Sequence, residues 1–257
     1  MPLPSALFAE LVFPPIDNLV KWPSAFGDSF FFNKIALINV LAVVLTTLFF
    51  VAANKRKMVP TGIQNLGESA VNFIDEGIVQ QTIGHGGEKY IPYLASIFFF
   101  VFFTNIFEVV PFFAMPANAR MGNPAFLALL TWAFFICVGI KHQGPKYFFN
   151  SIFPPGVPKA LYILVTPIEF ISTFIVRPFS LAVRLFANML AGHILLVTFA
   201  VLTIALIEGG IMAIISPLPF AVLVGLTAFE IMVSFLQAYV FAILAAVYIG
   251  SSAHPEH

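Results

Sequence analysis

Long apolar runs, broken by short polar or basic stretches, organise this chain. The first covers residues 35 to 53 and stops at Lys55, Arg56 and Lys57. Its length matches the ~20 residues a helix needs to cross a bilayer core. From 61 to 84 the pattern changes: Ile63, Leu66, Val71, Ile74 and Ile78 recur at helical spacing, with Gln64, Glu68, Asn72, Asp75 and Glu76 between them. This predicts an amphipathic helix, either on the membrane surface or in a small loop domain. Crossings are predicted over roughly 92 to 114 and 122 to 140, with Asn118 and Arg120 in the turn between them, so the two form a helical hairpin. In the 141 to 159 loop, Pro154, Pro155 and Pro158 prevent a continuous helix.

The last third breaks the pattern. Between Ala160 and Ile207 the charged residues are Glu169, Arg177 and Arg184. As one helix this stretch would be about 72 Å long, and Pro217 to Gly250 about 51 Å. A bilayer core is about 30 Å thick, so neither is one upright span. Each is either two short crossings or one overlong, steeply tilted helix. Pro167 and Pro178 could bend the first. The absence of a turn-forming cluster between 179 and 207 favours tilt.

Composition agrees with these spans. Of 257 residues, 60% are hydrophobic, 16% aromatic and 9% charged, and 32 are phenylalanine; soluble proteins carry about 25% charged residues. The expected fold class is therefore an all-α integral membrane protein of about five to six helices, forming a single membrane domain. Its parts are an outside segment (1–32), a first span (33–54), the amphipathic helix (61–84), the hairpin (91–141) and a long tilted pair (159–252). The 12 basic and 12 acidic residues cancel, which gives nucleic acid no basic surface to bind. The single cysteine, Cys137, supports neither a disulfide framework nor a cysteine metal cluster. No basic residue precedes Lys21 and no cleavage pattern follows, so no removable signal peptide is expected. Seven Lys and Arg fall in the 55 to 89 and 141 to 159 loops, against Lys21, Lys34 and Arg120 on the other side. The positive-inside rule puts those loops in the cytoplasm or its organellar equivalent, and the N-terminus outside.

An ionisable residue at mid-bilayer costs about 2.5–3.5 kcal/mol on insertion scales. Glu108, Glu169, Arg177, Arg184, His193, Glu208 and Glu230 nevertheless lie in or near apolar segments. Structural ion pairs could explain any one of them; the set points to a translocation pathway. On an ideal helix Glu169, Thr173, Arg177, Ser180 and Asn188 fall within about 60° of Arg184, while His193 falls at about 180°. Arg184 and His193 thus face different compartments. Glu230, Ser234, Gln237 and Tyr248 form a second stripe on the last helix, and Asn105 and Glu108 are i,i+3 neighbours on the second crossing. Arg184 stays protonated even when desolvated, whereas a lysine there could lose its proton.

The run RPFSLAVRLFANMLAGHILL, Arg177 to Leu196, closely resembles the signature helix of subunit a of F-type ATP synthases. TNIFEVVP (Thr104 to Pro111), TPIEFIS (Thr166 to Ser172) and FEIMVSFLQAYVFAIL (Phe229 to Leu244) follow the same family order. The resemblance extends from about residue 33 onward. It implies that Arg184 is the arginine facing the rotor ring of c subunits, with Asn188 one turn later and Gln237 approaching it from the last helix. It also implies an inlet half-channel of Asn105, Glu108, His193 and Glu230, and an outlet past Glu169. His193 and Glu230 occupy positions where some family members carry Glu and His in reversed order, which suggests that the pair acts together. Glu208 has no counterpart. The partners implied are the c-subunit ring, b-type peripheral stalk subunits, the rest of the synthase and the lipid bilayer, without a cofactor or a metal. The location implied is a bacterial inner (plasma) membrane, or alternatively a mitochondrial inner membrane. The resemblance further implies a subunit that conducts protons and is not catalytic by itself.

Two other classes compete. A self-contained secondary transporter could use the same buried charges, but no internal repeat relates the halves. A membrane-embedded hydrolase or metalloenzyme would need more than the one histidine in the apolar part.

Overall fold

The structure is a computed structural model and describes residues 34–55, 59, 61–84, 86–110, 117–153 and 161–253. Expectations for residues 1–32, for Arg56 and Lys57, and for Lys159 and the loop prolines lie outside these. Every regular element among the described residues is helical, as the hydrophobic pattern predicts. Helix α1 is Lys34–Ala53 and α2 is Ile63–Ile74; α2 continues through a wide π turn, Asp75–Val79, into Gln80–Thr82. The hairpin is α3, Ile91–Ile106, and α4, Gly122–Gln143, and a short α5 follows at Lys146–Ile152. The remainder is α6, Tyr162–Ile171, a π turn at Ser172–Val176, α7 at Arg177–Glu208, and α8 at Pro217–Ala253. Among the described residues, five stretches are long and apolar enough to cross a membrane.

One expected span boundary changes, and the alternative favoured for the last third holds. Helix α3 ends at Ile106, inside the expected 92 to 114, so Glu108 lies in the turn beyond it, its N–H donating to Asn105 O at 3.1 Å, while 111–114 lie outside the described residues. The tyrosine-to-glutamate stretch 162–208 is one unbroken helical run of 47 residues, so the split into two crossings is not made. Its π turn has a local cause. Pro178 lacks the N–H that would bond Phe174 O, and its ring crowds that carbonyl, so the turn ahead of it widens. A π turn also rotates everything upstream relative to an ideal 100° wheel. Glu169 and Thr173 are therefore displaced around the stripe from their ideal positions, whereas Asn188 and His193, downstream, keep theirs.

The core lies where α3, α4, α7 and α8 meet. Helix α8 contributes a face of small residues, Ala238, Ala242, Ala245 and Ala246, all fully buried. Small side chains allow close backbone approach, the usual basis of helix packing where lipid is as apolar as the protein. Gly139 on α4 serves the same end, since the Tyr147 ring of α5 lies directly on it. Tyr147 and Gln143 then bond Ser252 at 3.2 and 2.8 Å, tying the end of α8 to the α4–α5 turn. Helix α1 packs on α3 mainly through Ile38 and Ala42.

Candidate functional site

The site is built on α7 and α8 where they cross the α3 terminus. The contact of Gly192 with Glu230 and that of Arg177 with Tyr248 fix an antiparallel register between α7 and α8. Glu230 reaches inward because Gly192 has no side chain: a Cβ there would lie 2.6 Å from the Glu230 Cδ. One residue on, His193 is buried, with Nδ1 3.3 Å from Glu108 Oε1. That approach falls short of a hydrogen bond, so both Glu108 oxygens are left without a donor. Glu108 and Glu230 are themselves near enough for their charges to interact. Three ionisable groups from three elements thus converge in a cluster whose members are each under 10% exposed.

From the cluster a chain of amides leads away. Asn105, on the last turn of α3, accepts from Asn118 Nδ2 at 2.7 Å, and the same amide nitrogen donates to Thr104 Oγ1 at 3.1 Å. Asn118 Oδ1 accepts from Asn123 Nδ2 at 2.6 Å, and Asn123 and Asn39 exchange two bonds of 3.2 Å. Burial falls along the way: Asn105 and Asn118 are buried, whereas Asn123 and Asn39 are partly exposed. The chain therefore runs from Asn105, three residues before Glu108, to the N-terminal parts of α1 and α4.

Arg184 stands apart from this cluster. It is exposed, on the opposite face of α7 from His193, and no described carboxylate pairs with it. Ala187 and Ala191 are exposed beside it, and Asn188 is half-buried. Gln237 is buried with its Nε2 unpartnered, and the α7–α8 register brings it level with the turn carrying Arg184 and Asn188. Glu169 is half-buried on α6, beyond the π turn. Arg177 is occupied structurally, donating to Ser251 Oγ at 3.4 Å and lying 5.1 Å from the Tyr248 ring centre. Glu208 is exposed at the end of α7, away from all of these.

Residues 35–250 match the family model described as ATP synthase A chain. The chain belongs to that family. Among its relatives, ATP synthase subunit a of Rhodococcus erythropolis is 45% identical over 229 residues, covering 87% of this chain and 83% of the relative. The protein of the same name from Frankia alni is 40% identical, covering 88% and 80%. That of Pseudarthrobacter chlorophenolicus is 35% identical, covering 99% and 97%. These bacterial relatives, with the five membrane-length helices, make it a bacterial membrane protein.

Sequence reasoning did not find Asn39, Asn123 or the role of Gly192, and it assigned Asn118 only to a turn. Asn39 and Asn123 are 84 residues apart, beyond the reach of any helical periodicity. The available signal was simply that three asparagines stand at the ends of otherwise apolar spans.

Proposed function

We propose that this chain is the proton-conducting stator subunit of an F-type ATP synthase, set in a bacterial cell membrane with its N-terminus outside. Protons enter from outside along the amide chain to Asn105, pass Glu108, His193 and Glu230, and are delivered near Gln237 to a carboxylate on the c-subunit ring. After nearly a full rotation of the ring they leave to the cytoplasm past Glu169. Arg184 stands between the two half-channels. Peripheral stalk subunits hold the chain still against the ring.

The observation that carries this reading is the division along α7. His193 is buried beside Glu108, with Glu230 packed on the adjacent Gly192, while Arg184 is exposed on the other face. A histidine beside carboxylates can take and give a proton at ordinary pH, as a relay requires. An arginine stays charged and cannot pass a proton on, which suits a barrier. Exposed toward lipid, that cation would cost about 2.5–3.5 kcal/mol, so it needs an acid from a partner. The exposed Ala187 and Ala191 beside it allow a partner helix to come close. The lengths of α6–α7 and α8, about 70 and 55 Å against a core of about 30 Å, suit helices inclined along the wall of a ring. Each proton crossing gains about 2.3 kcal/mol per 100 mV, and this drives rotation.

Cysteine pairing tests the docking face. In a Cys137→Ser background, Ala187→Cys and Ala191→Cys should form disulfides with cysteines on the outer helix of the rotor subunit, and Ser234→Cys, which is buried, should not. Cross-links from position 234 but not from 187 or 191 would reverse the assignment of faces.

A further inference from the structure

At the end of the α3–α4 hairpin away from the amide chain, a cavity of about 430 Å³ opens beside Lys89, Lys141 and His142. Its apolar wall is Phe134, Cys137 and Val138, on one side of α4. We propose that this cavity binds the phosphate headgroup of an anionic phospholipid, with the acyl chains running down the α4 surface. The proposal goes beyond proton conduction and does not depend on it.

The polar groups are held in a defined order. Lys89 Nζ lies 2.9 Å from His142 Nε2, and His142 Nδ1 lies 2.9 Å from Val138 O. An ammonium can only donate, so Nε2 is the acceptor and Nδ1 carries the proton donated to the carbonyl. A neutral His142 thereby fixes the position of a full positive charge. Lys89 also lies 5.0 Å from the centre of the Tyr90 ring, which further restricts it. Lys141 adds a second exposed cation one turn after Cys137. No described carboxylate lines this cavity; Glu88 lines a different one, with Asp75. Tyr90, which also lines the cavity, is 6% exposed, so this part of the wall is tightly packed. Basic pockets between helix ends at the membrane surface attract anionic headgroups. A free phosphate would use the cations but not the apolar wall, and a neutral lipid the reverse.

Cys137, the single cysteine of the chain and exposed in this wall, reports occupancy. The assembled synthase in neutral detergent is alkylated in the presence of dioctanoyl phosphatidylglycerol, dioctanoyl phosphatidylcholine or inorganic phosphate, and the Cys137 peptide is followed by mass spectrometry. Phosphatidylglycerol should slow alkylation, and the other two should not. K89Q together with K141Q should raise the phosphatidylglycerol concentration needed on the order of thirtyfold, while K146Q leaves it unchanged. The unliganded alkylation rate serves as the check that the variants are folded. Equal protection by phosphatidylcholine or by phosphate overturns the proposal. So does full protection in the double variant, or a Cys137 unreactive throughout because another polypeptide covers it.

Discussion

Replacing Gly192 with alanine tests the inlet cluster with a single methyl group. The added Cβ would lie 2.6 Å from Glu230 Cδ and 2.8 Å from Oε2, whereas carbon atoms pack at about 3.5–4.0 Å. The carboxylate must retreat by roughly 1 Å or more. Because it is the far end of a flexible side chain, the retreat requires no backbone movement, and the subunit should fold and assemble normally. A misplacement of ~1 Å in a reacting group can cost on the order of a hundredfold in rate. We therefore expect ATP-driven proton pumping in inverted membrane vesicles to fall about ten- to hundred-fold at unchanged complex content. Adding Glu230→Asp, which shortens the side chain by one methylene, should recover part of the loss. Full pumping in Gly192→Ala, or a loss traced wholly to failed assembly, would refute the packing argument.

Exchanging His193 and Glu230 as a pair should retain more ATP-driven pumping than either single replacement, and equal loss in all three would show that they do not cooperate. Asn118→Leu removes two donated bonds and one accepted bond. An orphaned buried amide oxygen costs about 1–3 kcal/mol, so the purified complex should lose several degrees of thermal stability; an unchanged melting curve would argue against a continuous amide chain. Gly139→Ala drives a methyl into the Tyr147 ring, which is too stiff to yield. It should destabilise by about 1–3 kcal/mol while proton flux per assembled complex stays constant, and a selective loss of flux would mean that the α4–α5 turn takes part in conduction.

The sequence made the spans and the two faces of α7 legible because apolar length and the 3.6-residue period are local properties. Arg184 and His193 are nine positions apart in one regular helix, so simple angle counting puts them on opposite sides, as the structure does. The same counting misjudged Glu169, because the π turn ahead of Pro178 changes the rotation per residue. It also extended the second crossing past Ile106, since Phe107 and the valines beyond continue the apolar composition although the helix has ended. The convergence of Glu108, His193 and Glu230 depends on how three elements cross, and it came into the sequence reading only through the family resemblance. The bonds from Asn39 to Asn105 carried no local signal at all. An asparagine at a span end reads as a boundary until its partner, 84 residues away, is known.

The central claim is that Arg184 separates two half-channels, and the most direct measurement is proton flux through Arg184→Ala. Membranes carrying this variant should show no ATP synthesis driven by a proton gradient, while passive proton leak through the complex rises above that of the unaltered protein. Coupled ATP synthesis at an undiminished rate would contradict the account.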